Sequence, residues 1–297
     1  MDGTPRTNPD TIAMLGSFPP LRALSSYCLE LASAVSNLVH VEFVSFKKIY
    51  PSLLYPGGDL RDDHTFPDNG LPHLVVRRRL TWYNPVTWVL EGLSVRGRLL
   101  HAQWWSLPLA MIYLVMSLGF RLRGRPVIFT IHNVMPHERS FFYTFVSRMV
   151  FSLGRHFIVH SEENRKQLID QYRIPPGKVS QIPHGPLDFH VQPEMDKSRA
   201  RRLLGLETGH RVILLFGAVR PYKGIETALR AMPEVVRENP GTRLFIAGKL
   251  WEDWTPYQEI IDDLGIREYI RLHLNYIPSS HVCRFFMASA PLWESKW

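Results

Sequence analysis

The residues best suited to chemistry are two basic side chains, Arg220 and Lys223, in the segment Gly217-Ala218-Val219-Arg220-Pro221-Tyr222-Lys223-Gly224. An apolar run of strand character, Arg211 to Phe216, precedes this segment, and a helical pattern from Ile225 to Arg237 follows it. Strand, basic loop and helix place fixed cations beside the unpaired N–H groups of a helix start, an arrangement that receives phosphate. When a bond to a phosphate leaving group breaks, negative charge develops on the departing phosphate. Cations fixed there stabilise the transition state more than the ground state. Gly217 and Gly224 bound the loop and belong to the same candidate site. The plain alternative is that Arg220 and Lys223 are surface charges on a loop.

His132 is the second candidate, because it follows a strand-like run from Pro126 to Ile131. A histidine at that end of a strand can hydrogen-bond a hydroxyl or steady charge, and it can equally be structural. His137 and Glu138, shortly after, read as solvated loop residues. Ser161 is explained by helix capping, with Asn164 three residues on, and His184 by its Pro-His-Gly turn. Neither an Asp-x-Asp motif nor a His/Cys ligand set appears, so the reading includes no metal and no cofactor. Gly-x-Gly-x-x-Gly after a strand and Gly-x4-Gly-Lys-Ser/Thr are both missing, which argues against an NAD enzyme and a P-loop nucleotidase.

Positioning these residues takes an alternating α/β chain. Thr11 to Leu15 reads as a strand, ending in the loop Gly16-Ser17-Phe18-Pro19-Pro20. A helical pattern through Leu24, Tyr27, Cys28, Leu31 and Val35 and a strand from Val39 to Phe46 come next. Tyr50 to Asn69 reads as a loop, and Leu71 to Leu80 as a return to the sheet. Strand candidates at 98–102, 126–131, 156–160 and 178–182 then alternate with helices at 107–120, 141–153 and from Ser161. Pro186 to Lys197 is polar and irregular, the expected linker. A second alternating block runs through strands at 211–216, 243–247 and 270–274, with helices at 225–237, 256–264 and 279–288. In such sheets ligands bind beyond the carboxyl ends of the strands.

Length and composition agree with two globular domains: 297 residues, 45% apolar, 12% aromatic and 21% charged. The net charge of +8 calls for an anionic partner. Arginines gather at 77–79, at 96 and 98, and at 121, 123 and 125, as a solvated basic face or as a contact for an anionic membrane surface. No nucleic-acid-binding module accompanies them, so nucleic acid is not an expected partner. Leu107 to Phe120 is about 14 residues, against the roughly 20 needed to span a bilayer, and reads as a buried helix. Trp104 and Trp105 before it and the arginines after it would also suit an interfacial helix. Cys28 and Cys283 read as core residues in a reducing compartment, and Met1 to Asp10 lacks the pattern of a signal peptide. The expected location is cytoplasmic, with peripheral contact at the inner face of the membrane left open.

Leu214 to Met232 (LLFGAVRPYKGIETALRAM), Ile131 to Glu138, Val159 to Leu168 and Ile182 to Gly185, taken in order, resemble landmarks of glycosyltransferase family 4. The resemblance implies the GT-B architecture of two Rossmann-like doubly wound domains. Residues 1–190 would form the acceptor-side domain and residues 191–297 an incomplete nucleotide-sugar donor domain. It further implies that Arg220, Lys223, Gly217 and Gly224 bind the donor phosphates and that His132 contacts the transferred sugar and the reaction centre. The implied activity moves a hexose-like sugar, with retained anomeric configuration and no metal, from a nucleoside-diphosphate donor to a glycan or lipid-linked acceptor. Polysaccharide or cell-envelope synthesis is the implied setting.

Three departures from the family pattern qualify these expectations. Ala218 and Val219 stand between Gly217 and Arg220, whereas many members place arginine directly after the glycine. The first loop carries Gly16-Ser17-Phe18 where many members have paired glycines. After Ala288 the chain reads to Trp297 without the family's two glutamates eight positions apart, and Glu294 does not fill that role. The expectation is a truncated second domain of reduced stability. With it comes an alternative function, an inactive binding or interaction protein of the same lineage. A sugar-nucleotide epimerase shares the architecture, but the Arg-Pro-Tyr-Lys-Gly loop favours a transferase.

Overall fold

Strand β1 (Ile12–Leu15) lies at the reversal point of a parallel seven-stranded sheet, with β2 (Val41–Lys48) on one side and β4 (Leu100–Trp104) on the other. Beyond β2 lies β3 (Leu74–Thr81). Beyond β4 lie β5 (Val127–Ile131), β6 (His156–Val159) and β7 (Val179–Gln181), in the order β3-β2-β1-β4-β5-β6-β7. The computed structural model describes residues 11–21, 24–50, 71–134, 141–185, 195–207 and 209–289. His137, Glu138, Glu294 and most of the expected linker therefore lie outside the described residues.

Alternating side chains explain why this sheet is covered on both faces. Ala13 and Leu15 of β1 and Val44 and Phe46 of β2 enter one core. Met14, Val41 and Phe43 enter the other. The second core is closed by α1 (Ser25–Ser36) through Cys28 and Ala32. The first is closed by α2 (Pro85–Ser94), α3 (Ala110–Leu122), α4 (Phe141–Phe151) and α5 (Glu162–Tyr172), which contribute Trp88, Tyr113, Phe151 and Leu168. The run from Leu107 opens as a 3-10 turn and continues as α3, which buries one side and leaves Met111, Leu118 and Leu122 exposed, so it is not the fully buried helix expected. Ser161 caps α5, accepting a hydrogen bond from the Asn164 N–H at 3.1 Å. Both cysteines are buried and free.

Helix α2 has no counterpart among the sequence expectations. It is joined to α3 by a close backbone crossing, in which a Cβ on Gly119 would stand 2.6 Å from the Gly92 carbonyl oxygen. Arg123 completes the joint, its guanidinium donating to the carbonyls of Gly92 at 2.7 Å, Val95 at 2.8 Å and Gly119 at 3.1 Å. These bonds satisfy carbonyls that a helix end leaves without partners.

The arginine clusters are only in part a solvated face. Arg77 pairs with the buried Glu91 at 2.8 Å, and Arg78 donates to the Pro19 carbonyl at 2.7 Å, so both are structural. Arg96, Arg98 and Arg121 are exposed.

The chain divides into two units, Met1–Leu187 and Asp188–Trp297. The second holds α6 (Lys197–Leu203), β8 (Arg211–Phe216), α7 (Ile225–Glu238), β9 (Thr242–Ala247), α8 (Thr255–Asp263), β10 (Ile270–His273) and α9 (Ser279–Ser289). Its three strands are parallel in the order β10-β9-β8. Leu244 and Ile246 face α7 and α8 through Leu229 and Ile261, while Phe245 and Ala247 face α9 through Phe285. The buried Arg201 of α6 donates to the carbonyls of Glu207, His210 and Ala288, tying α9 to the entry of β8. Two α/β units of parallel sheet with helices on both faces are the GT-B components the sequence implied.

Candidate functional site

In the first unit, four consecutive strands deliver polar side chains to one edge of the sheet. Gln103 is the penultimate residue of β4, His132 follows β5, His160 follows β6, and His184 stands three residues after β7. Tyr27 of α1 meets three of them edge-on or tilted, with centroid distances of 4.7 Å to His132, 5.3 Å to His160 and 4.8 Å to His184. His132 and His160 are 4.9 Å apart, and His160 and His184 5.3 Å. The approach of α1 depends on Gly16, since a Cβ there would lie 2.9 Å from the Cys28 sulfur and 3.2 Å from the Gln103 side chain.

His132 is held by its backbone and by its ring. Its N–H donates to the Trp104 carbonyl at 2.9 Å, and its Nε2 lies 3.1 Å from the buried Gln103 Oε1. With the amide oriented as found, that oxygen only accepts, so Nε2 carries the proton and Nδ1 the lone pair. Burial, reinforced by the neighbouring His160, His184 and His101, pushes the His132 imidazole down to about 3. The ring is therefore neutral at pH 7, suited to hydrogen bonding and unsuited to acting as a fixed cation. His160 is also pushed down, mainly by burial, against the raising effect of the Ile182 carbonyl. Its Nδ1 lies 3.0 Å from that carbonyl, which makes Nε2 an acceptor, and this atom is buried without a hydrogen-bond partner. This edge carries two neutral imidazoles, and the acceptor nitrogen of His160 is closed off from solvent.

In the second unit, the loop after β8 is laced to the loop after β9. Gly217 N–H donates to Ala247 O and Val219 N–H to Lys249 O, both at 2.9 Å, and Trp251 N–H returns to Val219 O at 3.2 Å. Gly217 (φ 123°) and Gly248 (φ 148°) meet backbone to backbone, and a Cβ on Gly248 would fall 1.9 Å from the Gly217 carbonyl oxygen. Gly248 admits no side chain, and the positive φ of Gly217 strains any residue there although the space beside it is open. Arg220 is extended, and Pro221–Lys223 forms a 3-10 turn closed by the Lys223 N–H on Arg220 O at 3.0 Å. Gly224 (φ 71°) then starts α7 with no side chain capping its first turn. Arg220 and Lys223 thus stand just before a helix start that no side chain caps, an arrangement suited to receiving phosphate oxygens.

The Arg220 guanidinium lies 3.8 Å from the Trp251 ring centroid, and its Nε is buried without a hydrogen-bond partner. Lys223 is exposed, its Nζ 5.3 Å from the Tyr222 ring. Each predicted site residue lies at a strand-end loop of its own unit. Tyr27, Gln103, His160 and Trp251 are additions from the structure. The strand-end position of His160 was the available signal, whereas Tyr27 and Trp251 arrive from other segments. Among the described residues, no group of three or more His, Cys, Asp or Glu side chains is arranged to hold a metal ion.

Residues 24–186 match the model of Glycosyltransferase Family 4. D-inositol 3-phosphate glycosyltransferase from Segniliparus rotundus is 33% identical over 92 residues, 31% of this chain and 20% of that protein. The match therefore spans about a fifth of that relative's length. The crystal structure of Anabaena HepE in complex with UDP and glucose superposes with a TM-score of 0.65 at 15% identity, covering 94% of this chain and 72% of that one. A glycosyltransferase from Rickettsia africae gives a TM-score of 0.65 at 12% identity, covering 95% and 72%. At these identities the structures establish the shared fold.

Proposed function

This chain belongs to glycosyltransferase family 4, and from that premise we propose that it transfers a sugar from a nucleoside-diphosphate donor to a glycan or lipid-linked acceptor, with retention of configuration. The observation that carries the proposal is the Arg220–Lys223 turn against the uncapped start of α7. Arg220 and Lys223 receive the diphosphate there and hold its charge as the glycosidic bond breaks. His132, neutral and tethered to Gln103, hydrogen-bonds the transferred sugar. A neutral imidazole of this kind orients a hydroxyl. It supplies no positive charge to the leaving group, so that work falls to the second unit's cations.

Calorimetric titration of the chain with UDP and GDP tests this reading. One of the two should bind, and Arg220→Ala or Lys223→Ala should each weaken binding about tenfold through a lost charge-assisted contact. No binding by the folded protein, or affinity unchanged in both variants, removes the proposal.

A further inference from the structure

Helices α2, α3 and α4 cover neighbouring strips of one face of the first sheet, α2 packed on α3 and α3 on α4. Each buries one side against the core, and a helix on a protein surface ordinarily turns a charged or polar side outward. These three do the reverse. On α2 the outward positions are Val86, Val89, Leu90 and Leu93, at i, i+3, i+4 and i+7, with Val86 62% and Leu90 59% exposed. On α3 they include Met111, Leu118 and Leu122, and on α4 Phe141, Phe142 and Phe145, of which Phe141 is 87% exposed. Three adjacent outer faces of this kind make one apolar surface, larger than the scattered exposed leucines of an ordinary protein exterior.

The exposed charges carried by the three helices themselves have one sign. The only acidic residue in the three helices is Glu91, which is buried and paired with Arg77. Each helix follows a parallel strand by a crossover, so all three run the same way. Arg96, just beyond the end of α2, and Arg121, in the last turn of α3, therefore form a basic margin at one end of the apolar area. A second copy of this chain would bring arginines against arginines with no exposed carboxylate on the three helices to meet them. An anionic bilayer offers hydrocarbon for the apolar faces and phosphate for the margin. No described helix is long and apolar enough to cross a membrane.

We infer that this chain docks on anionic lipid bilayers through the outer faces of α2, α3 and α4, with these helices parallel to the membrane plane. Phe141 and Phe142 open α4 on the sheet edge that carries His132, so docking brings that edge to the lipid surface. The use made of this placement, reaching a lipid-linked acceptor, rests on the function proposed above. The docking itself does not.

Co-sedimentation of the full chain with vesicles tests it, using phosphatidylcholine alone and phosphatidylcholine mixed with phosphatidylglycerol. The mixed vesicles should retain the protein and the neutral ones should retain far less. The double variant Leu90→Glu/Phe145→Glu should lose at least about tenfold in vesicle affinity, and Arg121→Glu a smaller factor. All three positions are exposed, so the variants should melt with the wild type, and their UDP titrations should match it. Equal retention by both vesicle types, retention unaffected by the double variant, or concentration-dependent self-association abolished by that variant without vesicle binding would each overturn the inference. Loss of UDP binding in the wild type would instead count against the transferase reading while leaving docking intact.

Discussion

The guanidinium of Arg220 stacks on the indole of Trp251 at 3.8 Å, joining the loop after β8 to the loop after β9 through side chains as well as backbone. Because the Arg220 Nε has no hydrogen-bond partner, the flat face of Trp251 is what orients the planar cation. Removing the ring should leave Arg220 in place but free to rotate, weakening diphosphate binding without abolishing it. Trp251→Leu is expected to raise the Kd for UDP about threefold to tenfold, less than Arg220→Ala, while Trp251→Phe stays near wild type. Calorimetry on Trp251→Leu, Arg220→Ala and the double variant checks this, since coupled residues give losses that do not add.

The first unit should be acid-labile. Burial holds His132 at about 3 and His101 at about 4 in the folded chain, against 6.5 for an exposed imidazole. Between those values and 6.5 the unfolded chain binds protons that the folded chain does not. Stability is therefore fully present above about 6.5 and falls as pH drops toward 3, by an amount on the order of a few kcal/mol. Urea denaturation at pH 7, 5 and 4 should show the midpoint falling, and His132→Gln should make the fall shallower. A midpoint independent of pH across that range counts against the burial of both rings.

Much of this architecture is legible in the sequence because alternation in the strands and strand-loop-helix punctuation are local signals. Arg211 to Gly224 announces its own turn. Helix α2 is not legible, for a physical reason: its buried side includes Glu91 and Gly92 and its outer side is Val86, Val89, Leu90 and Leu93, so the expected amphipathic pattern is inverted. The structural roles of Arg77 and Arg78 depend on partners distant in sequence, Glu91 and the Pro19 carbonyl. The grouping of Tyr27 with three histidines follows only once strand order is known. His184, read from the sequence as a turn residue, has its Nδ1 2.7 Å from the Gly185 carbonyl and sits beside His160, a place local sequence does not show.

The crossing of α2 and α3 should be intolerant of a single methyl group at one glycine and not at its neighbour. Gly119→Ala places a Cβ 2.6 Å from the Gly92 oxygen, a backbone atom that moves only if the helices part. Gly92→Ala meets α3 at 3.4 Å. Gly119→Ala should cost about 1–3 kcal/mol, as overpacking does, and Gly92→Ala distinctly less. Arg123→Ala, which strips three carbonyls of their donor, should cost a similar 1–3 kcal/mol. Urea midpoints of the three variants give the ranking directly.

The bond between His132 and Gln103 sets which ring nitrogen is available, and it can be probed without any assay of transfer. Gln103 is fully buried at the end of β4, so its amide is not free to exchange His132 for solvent. Gln103→Glu places a carboxylate against the same Nε2, and an opposite charge at that distance favours the imidazolium. Followed by NMR, the His132 ring of this variant should titrate well above the wild-type value of about 3. Gln103→Leu removes the acceptor and leaves the ring neutral but unanchored. If His132 touches the transferred sugar and the diphosphate binds in the other unit, as proposed, kcat should then fall about tenfold with the Kd for UDP unchanged. A His132 that titrates alike in the wild type and in Gln103→Glu shows that the amide does not govern the ring, and the tautomer assignment fails with it.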